Sequence, residues 1–116
     1  MNLADQKCIP CRGAVPPMET SRAEALLREL DEGWRLNPEG HLERAYAFKN
    51  FADAMAFASK VADVAEHEGH HPDLYIAWGK CQVEIWTHKI SGLTESDFYF
   101  AAKADRAFKA PTLRSE

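Results

Sequence analysis

The chain has 116 residues, 46% of them hydrophobic and 28% charged, and its 14 Lys and Arg stand against 18 Asp and Glu for a net charge of -4. That length suits one domain of ordinary size. The mildly acidic balance excludes a basic field for nucleic-acid phosphates, and no apolar run approaches the about 20 residues that a membrane-spanning helix requires. The N-terminal MNLADQKCIPC lacks the charged and hydrophobic blocks of a secretory signal, and the three cysteines, Cys8, Cys11 and Cys81, are too few for a disulfide framework. Both features point to the cytoplasm.

Residues 1–19 carry the cysteine pair, Pro10, Gly13, Pro16 and Pro17 and read as an irregular leader on or beside a domain of residues 20–110, with a tail at 111–116. Ser21-Arg22-Ala23-Glu24 has the form of a capping box, and Leu26, Leu27 and Leu30 mark one face of a helix expected to stop near Gly33. From Trp34 to Lys49 the pattern shortens toward alternation around Pro38-Glu39-Gly40, which predicts a hairpin with Leu42, Tyr46 and Phe48 on one face. Asn50 is placed to cap a helix over 51–68, in which Phe51, Ala54, Met55, Ala58, Val61, Ala62 and Ala65 recur at helical spacing.

After Pro72, LYIAW and KCQVEIWTH read as two strands joined at Gly79. In the second, Cys81, Val83 and Ile85 share one face, while Gln82, Glu84, Trp86 and His88 share the other. A Trp on a polar face suggests that this face is covered as well, by another subunit for example. Thr94-Glu95-Ser96-Asp97 repeats the capping-box pattern, and Phe98, Ala101, Ala102 and Phe108 support a last helix. The predicted fold is therefore α+β, a four-stranded antiparallel sheet with three helices on one face, in the order α-β-β-α-β-β-α.

The chemistry concentrates in AEHEGHHPDL, residues 65–74. His67-Glu68-Gly69-His70-His71 formally matches the H-E-x-x-H zinc-protease signature, which needs both imidazoles one turn apart on an unbroken helix. Pro72 biases His71 away from helical backbone, and Gly69 suits a left-handed helix end. The helix should stop at Glu68 or Gly69, with His67 in its last turn and His70 and His71 beyond it. Near a helix C-terminus, where the dipole favours cations, these histidines also read as plain surface residues. That reading fits His67 best. His70 and His71, fixed by a proline between a helix and a strand, sit as a functional loop does.

Cys8-x-x-Cys11 is half a zinc site, with no second pair, so a leader motif without metal is the expectation. Cys81 reads as a small core residue.

Glu66, three residues, His70-His71-Pro72, five residues, Trp78, nine residues, His88, eight residues and Asp97 make a pattern that resembles the pterin-4a-carbinolamine dehydratase family. The likeness extends through GW, RAYAFKNF, THKISGLTESDF and AAKAD, over about residues 20–108, and the leader KCIPCRGAVPPM looks like that of many members. Animal members tend to carry a basic residue before the motif Asp, whereas this chain has Ser96.

The resemblance implies removal of water from a 4a-hydroxytetrahydropterin without a metal or organic cofactor, recycling the pterin cofactor of aromatic amino acid hydroxylation. It implies the same sheet and three helices, and assembly as a homodimer or homotetramer. His70 and His88 become the main acid/base pair, and His71 binds or polarises the substrate at the hydroxyl-bearing edge. Glu66 and Asp97 orient an imidazole or bind the amino-pyrimidine edge, with helix capping an equal claim on Asp97. Pro72 and Trp78 join the substrate-binding set, although Trp78 is expected to serve the core. Two other readings remain open: a non-catalytic interaction module, as in animal members that dimerise a homeodomain factor, and action on a related pterin such as a molybdopterin precursor.

Overall fold

Two antiparallel hairpins combine into one sheet, and each is followed by a long helix. The structure, a computed structural model, describes residues 3–8 and 16–109. Its elements are α1 (Thr20–Leu27), β1 (Arg35–Leu36), β2 (Leu42–Ala47), α2 (Phe51–Glu68), β3 (Asp73–Ala77), β4 (Lys80–Ile85) and α3 (Glu95–Lys109), with short 3-10 turns at Leu3–Asp5 and His88–Ile90. This is the predicted α-β-β-α-β-β-α order. The strands run β1-β2-β4-β3 with every neighbour antiparallel.

Because side chains alternate along a strand, pairing Leu42 with Ile85 and Tyr46 with Cys81 puts one apolar set on one face. Leu42, Tyr46, Cys81, Val83 and Ile85 are all buried there, Cys81 as the small core residue expected. Helices α2 and α3 pack together across that face, and α1 adds Ala23 and Leu26 to the same core.

The predicted ends of α2 are the observed ones. Asn50 Oδ1 accepts from the Asp53 amide at 2.7 Å, and Gly69 takes the left-handed conformation (φ 68°) while its N–H reaches Ala65 O at 2.9 Å. The inner stripe differs from the predicted one. It runs through Ala54, Phe57, Ala58, Val61 and Ala65, whereas Phe51, Met55 and Ala62 face outward. Phe57 turns the stripe because its ring packs at a tilt against Tyr46 at 4.4 Å and Phe48 at 5.5 Å.

Helix α1 departs from expectation at both ends. Met18 N–H is held by Leu93 O at 2.9 Å and Glu19 is extended, so the helix opens at Thr20. Ser21 lies inside it and forms no capping box. The helix also closes at Leu27 rather than near Gly33, because Glu29 and Leu30 bond back to Leu26 and Leu27 in tighter i→i−3 turns.

A buried polar knot joins the first hairpin to α3. Asp105 accepts from Tyr46 OH at 2.6 Å, from Trp34 Nε1 at 2.9 and 3.0 Å, and from Arg44 at 2.8 Å. Burial raises the Asp105 carboxyl above its ordinary range, against the pull of Tyr46, Trp34 and Arg44. Burial and the Asp105 charge likewise push the Tyr46 phenol up, so it remains a donor.

Residues 3–8 lie against α3 and the end of α2. Lys103 Nζ donates to Ala4 O at 2.8 Å, Arg106 pairs with Asp5 at 2.6 Å, and Cys8 N–H donates to Glu68 Oε1 at 3.0 Å. Asp105→Ala would strand one guanidinium and two neutral donors in the core. The expected cost is about 3–5 kcal/mol of unfolding free energy, read as a lowered urea midpoint with an unchanged slope.

Candidate active site

The loop after α2 and the loop after β4 meet, and their meeting is organised by one carboxylate. Asp97, in the first turn of α3, is 0% exposed. Its Oδ2 accepts from the Thr94 amide at 2.8 Å and from Thr87 Oγ1 at 2.9 Å, and its Oδ1 lies 2.6 Å from His70 Nε2. The capping and site roles that competed for Asp97 in the sequence are thus both filled, one by each oxygen. With both of its partners on Oδ2 donating to it, the carboxylate is the acceptor. With Asp97 ionised, the His70 Nε2–H is the third donor to it.

Local backbone explains how His70 reaches that position. Gly69 ends α2 with a reversal, and the His70 amide still bonds Ala65 O at 3.2 Å. The chain then runs through His71 and Pro72 into β3, so His67 and His71 share no helix and the H-E-x-x-H geometry is absent. Glu68, the residue that motif would use as base, instead holds the Cys8 amide and lies 3.7 Å from Lys103 Nζ. Burial pushes its carboxyl up, but the Cys8 amide and Lys103 outweigh that and hold it below the ordinary range.

A cavity of about 300 Å³ lies between Gly69, His70, His71, Trp86, Thr87, His88 and Lys89. The three histidines singled out in the sequence therefore line one recess, of a size that suits a small heterocycle. His71 Nε2 pairs with Glu66 Oε2 at 2.8 Å, with both side chains largely in water. A pair so solvated orients more than it stabilises. His88 opens the short 3-10 turn after β4, and its ring stacks on Trp86 with centroids 4.3 Å apart and planes 8° apart. Thr87 and Lys89, also in the lining, were not singled out from the sequence, although they flank His88 directly.

Two expected site residues lie elsewhere. Pro72 shapes the loop but is not part of the lining. Trp78 sits in the β3–β4 turn, at the opposite end of that hairpin from His88, and is 74% exposed. The core place expected for it is therefore corrected: Trp78 lies in the turn just before Gly79 (φ 75°), beyond the last β3–β4 pair, and its side chain stays in solvent. Trp86 also has a ring neighbour on the first hairpin. Its other face carries His41, with centroids 3.9 Å apart and planes 3° apart.

Among the described residues, Glu39, His41 and Glu84 bring ligand-type atoms within 4.8 Å of one another. His41 Nδ1 is already bonded to Glu84 there, at 2.6 Å. Cys8 is buried, and its Sγ donates to Ser96 O at 3.5 Å; Cys11 lies outside the described residues. No helix among the described residues is long and apolar enough to cross a membrane.

A family model described as pterin 4 alpha carbinolamine dehydratase matches residues 16–107. A Rickettsia bellii protein, provisionally named pterin-4-alpha-carbinolamine dehydratase, is 57% identical over 104 residues, covering 90% of this chain and 92% of its own. A Rubrobacter xylanophilus protein with the same provisional name is 48% identical over 104 residues, covering 90% of this chain and 96% of its own. Among solved structures, a transcriptional coactivator/pterin dehydratase from Brucella melitensis superposes with a TM-score of 0.73 at 30% identity, covering 78% of this chain and 97% of that one. The chain belongs to the pterin-4a-carbinolamine dehydratase family.

Burial, and next the nearby Glu68 charge, push the Cys8 thiol up to about 12. At about pH 8 the thiol is therefore protonated and unreactive. Iodoacetamide should leave Cys8 unlabelled in the native protein and alkylate it after denaturation, as peptide mapping by mass spectrometry would show.

Proposed function

We propose that the protein dehydrates a 4a-hydroxytetrahydropterin to the quinonoid dihydropterin, with His70 and His88 as its acid/base pair. The convergence of three imidazoles on one recess, in a chain of this family, is the observation that carries the reading. In the reaction the C4a–O bond breaks and the hydroxyl leaves as water with a proton from the acid. A ring N–H gives its proton to the base, and the freed electron pair closes the C=N bond. An unperturbed imidazole titrates near pH ~6.5, so one ring can donate and another accept close to neutrality.

His70 suits such a role because the Asp97 bond fixes its tautomer and ring plane. His88 faces it from the other loop. His71, tethered to Glu66, polarises the hydroxyl-bearing edge, and that carboxylate holds the imidazole rather than the substrate. Each positioned histidine supplies roughly 100-fold to 10,000-fold, enough for a carbinolamine that already collapses readily, and no cofactor is invoked. Recycling of the pterin used in aromatic amino acid hydroxylation is the physiological role that fits this chemistry. Assembly into a dimer or tetramer belongs to the same reading, supported by Tyr75 and Trp78, which stand exposed on edge strand β3 and its turn.

The test follows the ultraviolet decay of enzymatically generated 4a-hydroxytetrahydropterin. The wild type should accelerate it equally with and without a chelator; no acceleration would leave the interaction-module reading in its place, and chelator sensitivity would require a metal. His88→Ala and His70→Ala should each lower kcat/KM by at least about 100-fold. His70→Ala also leaves one Asp97 oxygen without its donor, at a cost of about 1–3 kcal/mol. Circular dichroism should show both variants folded, and full activity in both would overturn the assignment.

A further inference from the structure

His41 does not line the recess, yet it completes a three-ring stack that ends inside it. The indole of Trp86 is clasped between His41 at 3.9 Å and 3° and His88 at 4.3 Å and 8°. The β2–β4 register produces this contact: Leu42 opposes Ile85, so the residue before one lies beside the residue after the other. His41 is itself braced. Its Nδ1 is 2.6 Å from Glu84 Oε2, and its backbone N–H donates to Asn37 Oδ1 at 2.9 Å. The buried Asn37 amide in turn donates to Glu84 at 2.9 Å and to Glu43 at 3.0 Å.

On the far side of the indole no comparable brace is seen among the described residues. His88 is exposed, lines the recess with His70, and has its ring stacked on Trp86. We propose that His41 is a positioning residue for His88: its braced ring fixes the plane of Trp86, and that plane fixes the catalytic imidazole. The proposal rests on the dehydratase reading for its effect on turnover. Its structural part, the setting of one ring by another through the indole, does not.

The test uses the full chain with His41→Ala, His41→Phe and His41→Asn, measured by steady-state kinetics and by the proton shifts of the His88 ring. Stacking on an indole displaces those protons upfield. His41→Ala should lower kcat roughly tenfold with KM within about twofold of wild type, the signature of lost orientation rather than lost binding. The same variant should reduce the upfield displacement. His41→Phe keeps a flat ring on Trp86 and should restore kcat to within about threefold and recover the shifts. His41→Asn keeps a polar group near Glu84 but no ring and should behave as His41→Ala does.

Unmoved His88 shifts in His41→Ala would overturn the proposal, whatever happens to kcat. A wild-type kcat in His41→Ala, or restoration by Asn as complete as by Phe, would overturn it as well. An inactive wild type would instead sink the dehydratase reading, and the shifts alone would then decide whether His41 sets the His88 ring.

Discussion

The carboxylate of Asp97 has no contact with water, and that constraint organises the site. A carboxylate withdrawn from water is costly unless its oxygens find donors. This one finds three, from three separate segments: the His70 imidazole after α2, the Thr87 hydroxyl after β4, and the Thr94 amide just ahead of α3. Satisfying one buried group therefore fixes the separation of two loops and the start of a helix. The recess exists because those loops are held at that separation.

How far the sequence foretold this depended on whether the controlling interaction was local. Asn50, Gly69 and Pro72 act on backbone within a few residues, so the limits of α2 and the failure of the zinc-protease geometry were legible in the order of the residues alone. Alternation in β4 likewise placed Cys81, Val83 and Ile85 inside. The three histidines and Asp97 were read partly from local backbone and partly from the resemblance to a known family.

The errors arose where distant contacts override a local pattern. Ser21 has the capping-box form, but the bond from Met18 to Leu93 sets where the chain turns into α1. Met55 and Phe57 both suit an inner helical position, and the ring of Tyr46 across the core selects Phe57. Trp78 looks like a core residue until the turn that carries it is placed at the closed end of a hairpin, where it stands exposed. Asp105 and His41 gave no local signal. Asp105 becomes special only where Trp34, Arg44 and Tyr46 converge on it, and His41 only through strand register. Trp86, out of place on a polar face, was the one hint, and His41 and His88 stack on it.

The two imidazoles proposed for acid/base work differ in their access to water, His70 with a side chain 17% exposed and bonded to a buried carboxylate, His88 open to solvent. A turnover that takes a proton onto one ring and gives one from the other leaves their protonation exchanged, so the pair must be reset before the next cycle. Bulk water can load or unload His88 directly. His70 has a buried carboxylate on one side and meets solvent only in part. In the proposed cycle the two rings would therefore be reset unequally, because two otherwise identical side chains differ in their exposure.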